Sequence, residues 1–284
     1  MKLFSIKKMR TAVQAVGLAL TCLGTAHAAL VTIPQSALLS SPGAYTAGGY
    51  YTNTLGPNIV TTDGGNAANV GAANGRNDDG FMALNLGFNF TLYGSTYNSL
   101  FINNNGNVSF GAGISEYEPT GPTGADAPLI SPFFSDVDTR NPDSGVVHYL
   151  LTSDQLVVTW DKVGYYSQHS DLTNSFQMVL RADGFATPVG EGVIGFFYQI
   201  MGWERTDTST TAAVGFGDGV GNAVVVEGSN LAGMASTMNN RHIWFNANLT
   251  PVDNNNVPEP GSLALLSVAI LALTVSAKKR RKPV

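Results

Sequence analysis

Cysteine is almost missing from this chain: Cys22 is the single one in 284 residues. It lies in a segment expected to be removed, so the remaining protein has no thiol for a disulfide, a zinc site or a nucleophile. Thr21 before it, and no Leu three positions back, argue against a lipoprotein signal. Charge is equally scarce, at 12% of residues. Nine of the fifteen basic residues sit at the two ends, which leaves Arg76, Arg140, Lys162, Arg181, Arg205 and Arg241 against the chain's twenty acids, a balance of six minus twenty, near -14. Such a body repels phosphate backbones and anionic lipid, and nucleic acid is excluded as a partner. Long helical periodicity is absent too, and 32 glycines weigh against helix because each costs about 1 kcal/mol in a helix interior.

What is present is organised from the ends inward. Lys2, Lys7, Lys8 and Arg10 precede a mostly apolar run from Ala12 to Leu23 and the small-x-small site Ala26-His27-Ala28. This is the layout of a secretory signal peptide over 1–28, cut by signal peptidase between Ala28 and Ala29. At the other end, a polar linker (251–257) leads to Pro258-Glu259-Pro260, an uncharged apolar stretch from Ser262 to Ala277, and the basic cluster Lys278 to Lys282. Sixteen helical residues rise only about 24 Å, short of the roughly 30 Å hydrocarbon core, so the segment spans a membrane with help from tilt or thinning. The basic cluster keeps the C-terminus cytoplasmic and the body outside. Both ends give the same topology.

The body reads as all-β. Residues 29–80 form a Gly-, Asn- and Thr-rich lead-in, expected to supply edge strands or a loosely packed entry. Over 81–250, short runs of aromatic and β-branched residues alternate with Gly, Asn, Asp and Pro clusters, the rhythm of an antiparallel β-sandwich. Strands are expected near Leu86 to Leu92, Ser99 to Phe110, Leu129 to Asp136, Gly145 to Leu150, Leu156 to Val163, Ser175 to Ala182, Gly192 to Gln199, Ala212 to Gly217, Ala223 to Val226 and His242 to Asn246. Alternation in Leu156-Val157-Val158-Thr159-Trp160 and Phe176-Gln177-Met178-Val179-Leu180 predicts one buried and one solvated face per strand.

Pro258-Glu259-Pro260 with the short apolar stretch and basic tail resembles the PEP-CTERM sorting signal. That resemblance implies recognition by an exosortase, cleavage near Val257 to Pro260 and delivery to the surface of a bacterium that makes extracellular polysaccharide. A permanent single-pass anchor is the alternative. In the body, Leu86-Gly87-Phe88-Asn89-Phe90 with Tyr93-Gly94 and Tyr97, and then Ile102-Asn103-Asn104-Asn105-Gly106-Asn107-Val108-Ser109-Phe110, resemble the opening of nidogen-like (NIDO) domains. Ile130-Ser131-Pro132-Phe133-Phe134-Ser135-Asp136-Val137-Asp138-Thr139, Gly145-Val146-Val147-His148-Tyr149, Val157 to Tyr165, Phe176 to Leu180 and Val214 to Gly219 follow in the family's order over about 150 residues. Phe134 departs from the family's common Trp, a change of packing volume. The resemblance implies an extracellular β domain of matrix and adhesion proteins without enzymatic activity, and leaves the ligand open.

Site candidates are sparse. Asp136, Asp138 and Asp143 offer hard oxygen ligands for calcium, although Arg140 and a displaced Gly break the EF-hand pattern. The same residues suit turn hydrogen bonds around Asn141-Pro142-Asp143-Ser144-Gly145. Tyr117, Tyr165, Tyr166 and Trp203 can form a stacking platform for sugar rings or simply pack at a sandwich rim. Glu116 and Glu118 stand too close in sequence for a glycosidase pair. His148, His169 and His242 sit in no metal spacing, and no Gly-x-Ser-x-Gly is present. Other than calcium, no cofactor is expected. The reading is an exported, non-enzymatic surface or matrix protein contacting extracellular polysaccharide or a matrix protein, held in the membrane by its C-terminal helix before processing. The alternatives are a secreted enzyme or carbohydrate-binding module, and a calcium-stabilised structural module.

Overall fold

Short β-branched and aromatic runs pair here into two sheets whose inner faces meet. The computed structural model describes residues 29–41, 43–46, 48–62 and 74–252. The expected signal peptide through Ala28, and Pro258, Glu259, Pro260, the apolar stretch and the basic tail, lie outside the described residues. Among the described residues no helix is long and apolar enough to cross a membrane.

The strands are β1 (Leu30–Ile33), β2 (Leu39–Ser40), β3 (Asn58–Ile59), β4 (Phe81–Leu92), β5 (Ser95–Asn103), β6 (Asn107–Ser109) and β7 (Pro128–Phe134), followed by β8 (Val147–Leu151), β9 (Gln155–Tyr165), β10 (His169–Arg181), β11 (Ile194–Met201), β12 (Ala213–Asp218), β13 (Ala223–Val226) and β14 (Arg241–Phe245). One sheet runs β1-β13-β12-β7-β6-β5-β4, the other β2-β14-β11-β10-β9-β8-β3. All pairings between these strands are antiparallel except β1 with β13. The expected all-β antiparallel sandwich is the observed fold. Three of the four sheet edges are β1, β2 and β3, all from the segment before residue 63. Ala29, the expected first residue after signal cleavage, donates its backbone N–H to Asn222 Oδ1 at 2.7 Å just before β1.

The core between the sheets is aromatic. Trp160 stacks on Phe176 with centroids 5.0 Å apart and donates its indole N–H to the Asn104 carbonyl at 3.0 Å. The Tyr198 hydroxyl reaches the Pro132 carbonyl of the opposite sheet at 2.7 Å. Such partners are what allow a polar atom to enter an apolar core.

Two expectations need correction. The single strand over Ser99 to Phe110 is instead the β5–β6 hairpin, broken by a turn at Asn104-Asn105-Gly106. Gly106 adopts φ 76°, and a Cβ there would stand 1.9 Å from the Phe133 carbonyl oxygen, so only glycine fits. The second concerns the solvated faces. In β9, β10, β11 and β14 the outward residues Val157, Val179, Phe197 and Trp244 are buried beneath Tyr45, Tyr51, Leu150 and Val252. Tyr45 and Tyr51 come from the lead-in, and the Tyr45 hydroxyl accepts the Trp244 indole N–H at 2.6 Å. Alternating patterns report an open face only while nothing else covers it.

Candidate acidic cleft at one end of the sandwich

The residues that gather chemistry lie where β4 begins and β7 ends. Asp78 and Asp79 directly precede β4, and Asp136 and Asp138 follow β7. Two isolated bridges, Asp78 with Asp138 and Val137 with Tyr165, tie these stretches to each other and to the end of β9. One carboxylate oxygen from each of Asp78, Asp79 and Asp136 lies within 4.8 Å of the others. They line a cleft of about 310 Å³ together with Tyr117, Tyr166 and Thr208.

Each acid is held differently. Asp136 is 1% exposed; one oxygen accepts the Thr206 hydroxyl at 3.2 Å, and its buried Oδ1 has no hydrogen-bond partner. Asp79 Oδ1 accepts the Asn105 side-chain amide at 2.8 Å, and Asn105 in turn accepts the Val137 N–H at 3.0 Å. Asp138 faces Arg140 in a bidentate pair, Nε to Oδ1 at 2.9 Å and Nη2 to Oδ2 at 2.5 Å, and accepts the Gln168 N–H at 2.8 Å. The same guanidinium reaches Asp78 Oδ2 at 2.8 Å.

The electrostatics follow from this crowding. Burial first, then the negative charge of Asp138 and Asp79, pushes Asp78 up to about 8 against the opposing pull of Arg140. Burial and the nearby Asp79 push Asp136 up to about 7, with the Thr206 bond working the other way. Hydrogen bonding to Asp138 raises the Arg140 guanidinium above its already high value.

The structure brings Asp136 to this cleft but groups it with Asp78 and Asp79, which the sequence reading did not single out. Asp138 is taken up by Arg140. Asp143 is exposed and sits in the turn, where its N–H meets Asn141 Oδ1 at 2.9 Å. Arg76 closes that turn by donating to the carbonyls of Thr139 at 2.9 Å and Asn141 at 2.8 Å. A conspicuous signal for the missed pair was available: Asn77-Asp78-Asp79-Gly80 is an acidic pair in a turn sequence, and Asp79 takes φ 60°, which Asp tolerates.

Of the four aromatics weighed as a sugar platform, Tyr117 and Tyr166 flank the acidic cleft and are 44% and 41% exposed. Tyr165 and Trp203 line an adjoining cleft of about 480 Å³ with Tyr166, His169, Leu172 and Arg205. Trp203 itself is 5% exposed and bonds the Val163 carbonyl at 3.1 Å, so it supports the wall, while His169 stacks on Tyr165 at 4.7 Å. Glu116 and Glu118 are exposed on the loop beside Tyr117. Ser41 and His242 approach to 3.3 Å but are both buried on the outer side of the second sheet, His242 against Tyr45.

The class the structure defines is a two-sheet, antiparallel-dominated β-sandwich with an acidic cleft at one end. The chain belongs to the NIDO-related family, whose profile matches residues 49–257. A PEP-CTERM protein-sorting motif matches residues 256–281. The chain is similar to alpha-tectorin of Mus musculus, 27% identical over 209 residues covering 64% of this chain and 9% of that protein. It is also similar to nidogen of Drosophila melanogaster, 28% identical over 138 residues, 39% of this chain and 10% of that protein. The chain thus spans about a tenth of these relatives' length. No solved structure matches it significantly. The sorting motif marks the chain as a substrate of an exosortase-type enzyme, exported to the cell envelope or surface.

Proposed function

We propose that the processed chain is a non-enzymatic surface or matrix protein that contacts extracellular polysaccharide through the tyrosine-rimmed end of the sandwich. The observation that carries this reading is the half-exposed pair Tyr117 and Tyr166 beside two adjoining polar clefts. Flat rings with one open face stack on sugar rings, and the neighbouring hydroxyls and carboxylates satisfy sugar hydroxyls. Export to the cell envelope or surface, which the sorting motif supports, is compatible with such a partner.

Co-sedimentation of the chain with the native extracellular polysaccharide tests the reading. Saturable binding that survives moderate salt and falls at least tenfold in Tyr117→Ala/Tyr166→Ala is expected. Binding that is absent, or unchanged in that variant, overturns the proposed surface. Release of new reducing ends by the wild type overturns the non-enzymatic assignment.

A further inference from the structure

The geometry points to a divalent-cation site of the calcium class, formed by Asp78, Asp79 and Asp136 where β4 starts and β7 ends. Calcium is ringed by oxygens at about 2.3–2.6 Å, so two ligands on opposite sides of it stand up to about 5 Å apart. The three carboxylates offer oxygens within 4.8 Å of one another, a spacing compatible with one such ion. The donor set is all hard oxygen, with no imidazole or thiolate, which suits calcium and disfavours zinc or copper. Three carboxylates from a cleft open to water also suit an ion that takes six to eight ligands, with waters completing the shell.

The separate observation is the state of Asp136. It is 1% exposed, lines the cleft, and its Oδ1 has no hydrogen-bond partner. A buried carboxylate oxygen without a donor is expensive, and an ion in the cleft supplies what the protein does not. The surrounding bonds look like support for ligands: Thr206 on the other oxygen of Asp136, and Asn105 on Asp79. Local charge agrees. Among the described residues, Arg140 contacts Asp78 and Asp138, and its bidentate contact is with Asp138. A bound ion would join the segment entering one edge of the first sheet to the end of its β7, and through the Val137–Tyr165 bridge to the second sheet. The inference is independent of whether a polysaccharide is the partner.

The test uses the full chain purified in mild detergent, stripped with EDTA, and melted with added calcium or magnesium. With dissociation constants of about 0.1–1 mM, common in extracellular modules, about 10 mM calcium should raise the Tm by roughly 3–10 °C. Magnesium should do much less. Asp136→Asn should abolish the shift, while Asp143→Asn, outside the cluster, should keep it. Terbium provides a second readout on the wild type, independent of any effect of Asp136→Asn on folding. Tyr117 and Tyr166 line the same cleft and should sensitise terbium emission that calcium displaces. No calcium shift together with no displaceable emission overturns the site, as does a shift retained in a folded Asp136→Asn variant. A magnesium shift equal to that of calcium overturns the assignment to calcium.

Discussion

Replacing Arg140 by Met should destabilise the chain by about 2–4 kcal/mol, somewhat less than the roughly 3–5 kcal/mol that breaking a fully buried ion pair costs. The magnitude follows from what the guanidinium leaves behind. Asp138 has a fully buried side chain, whereas Arg140 is 25% exposed, so solvent screens one side of the pair. Losing Arg140 strips Asp138 of its two bonds at 2.9 and 2.5 Å, leaving it the N–H groups of Gln168 and Arg140 itself. Asp78 loses its contact at 2.8 Å in the same step. A double-mutant cycle separates these effects. Asp138→Asn alone, Arg140→Met alone and the double variant should give a coupling of about 1.5–3 kcal/mol, because a bond to a charged group is in this range. Urea unfolding in EDTA, followed by the fluorescence of Trp160, Trp203 and Trp244, reads each stability, and an unchanged m-value keeps the comparison within two states. A coupling below about 0.5 kcal/mol would refute the argument, because the pair would then behave as an ordinary surface contact.

Three further perturbations probe other parts of the chain. Gly106→Ala should cost about 3 kcal/mol or more, combining a left-handed backbone with a collision against the Phe133 carbonyl, and a loss under 1 kcal/mol in urea unfolding would contradict the hairpin geometry. Tyr45→Ala should cost about 2–4 kcal/mol by uncovering Phe197 and Trp244 and orphaning the Trp244 indole N–H; the variant should also bind ANS, and silence in both assays would show that the lead-in is not a third layer. His242 is pushed down to about 4 by burial, against about 6.5 when unfolded. Between those values the unfolded chain takes up the proton and the native one does not, so this contribution is complete above pH 6.5 and lost as the pH falls toward 4, up to about 3 kcal/mol. Asp78 and Asp136, raised rather than lowered, act in the opposite sense, so the readout is the difference between wild type and His242→Gln; parallel profiles would refute the assignment.

The fold was legible because its signals are local. Alternating apolar residues set each strand, and Gly, Asn and Pro clusters end them, so Ala223 to Val226 is read without error and most other strands within a few residues. The failures differ in kind. The hairpin was signalled locally, since Asn104-Asn105-Gly106 is an Asn-Gly turn sequence that splits the run Ser99 to Phe110, and only the approach of the Phe133 carbonyl to Gly106 depends on a distant segment. Nothing within β9 or β10 says that Tyr45 and Tyr51 will cover their outer face. Arg181 carries the same lesson. Near the end of β10 it is 1% exposed, its guanidinium 4.4 Å from the Trp244 ring and paired with Glu191, contacts that no local pattern announces.

The acidic cleft shows why site residues are harder to read than strands. Local spacing suggested Asp136 with Asp138, since alternation puts them on one side. In the fold, β7 has already ended at Phe134, and the chain beyond it runs through isolated bridges rather than a regular ladder. Asp138 turns to the Arg140 two residues on, a neighbour that sequence spacing does favour. Asp136 instead meets Asp78 and Asp79, which reach it because β4 and β7 lie in the same sheet, with β5 and β6 between them. The distance that matters is therefore set by strand order, and strand order is a property of the whole sandwich. Crowding four carboxylates around one arginine in a place that also keeps two tyrosines in the open costs stability.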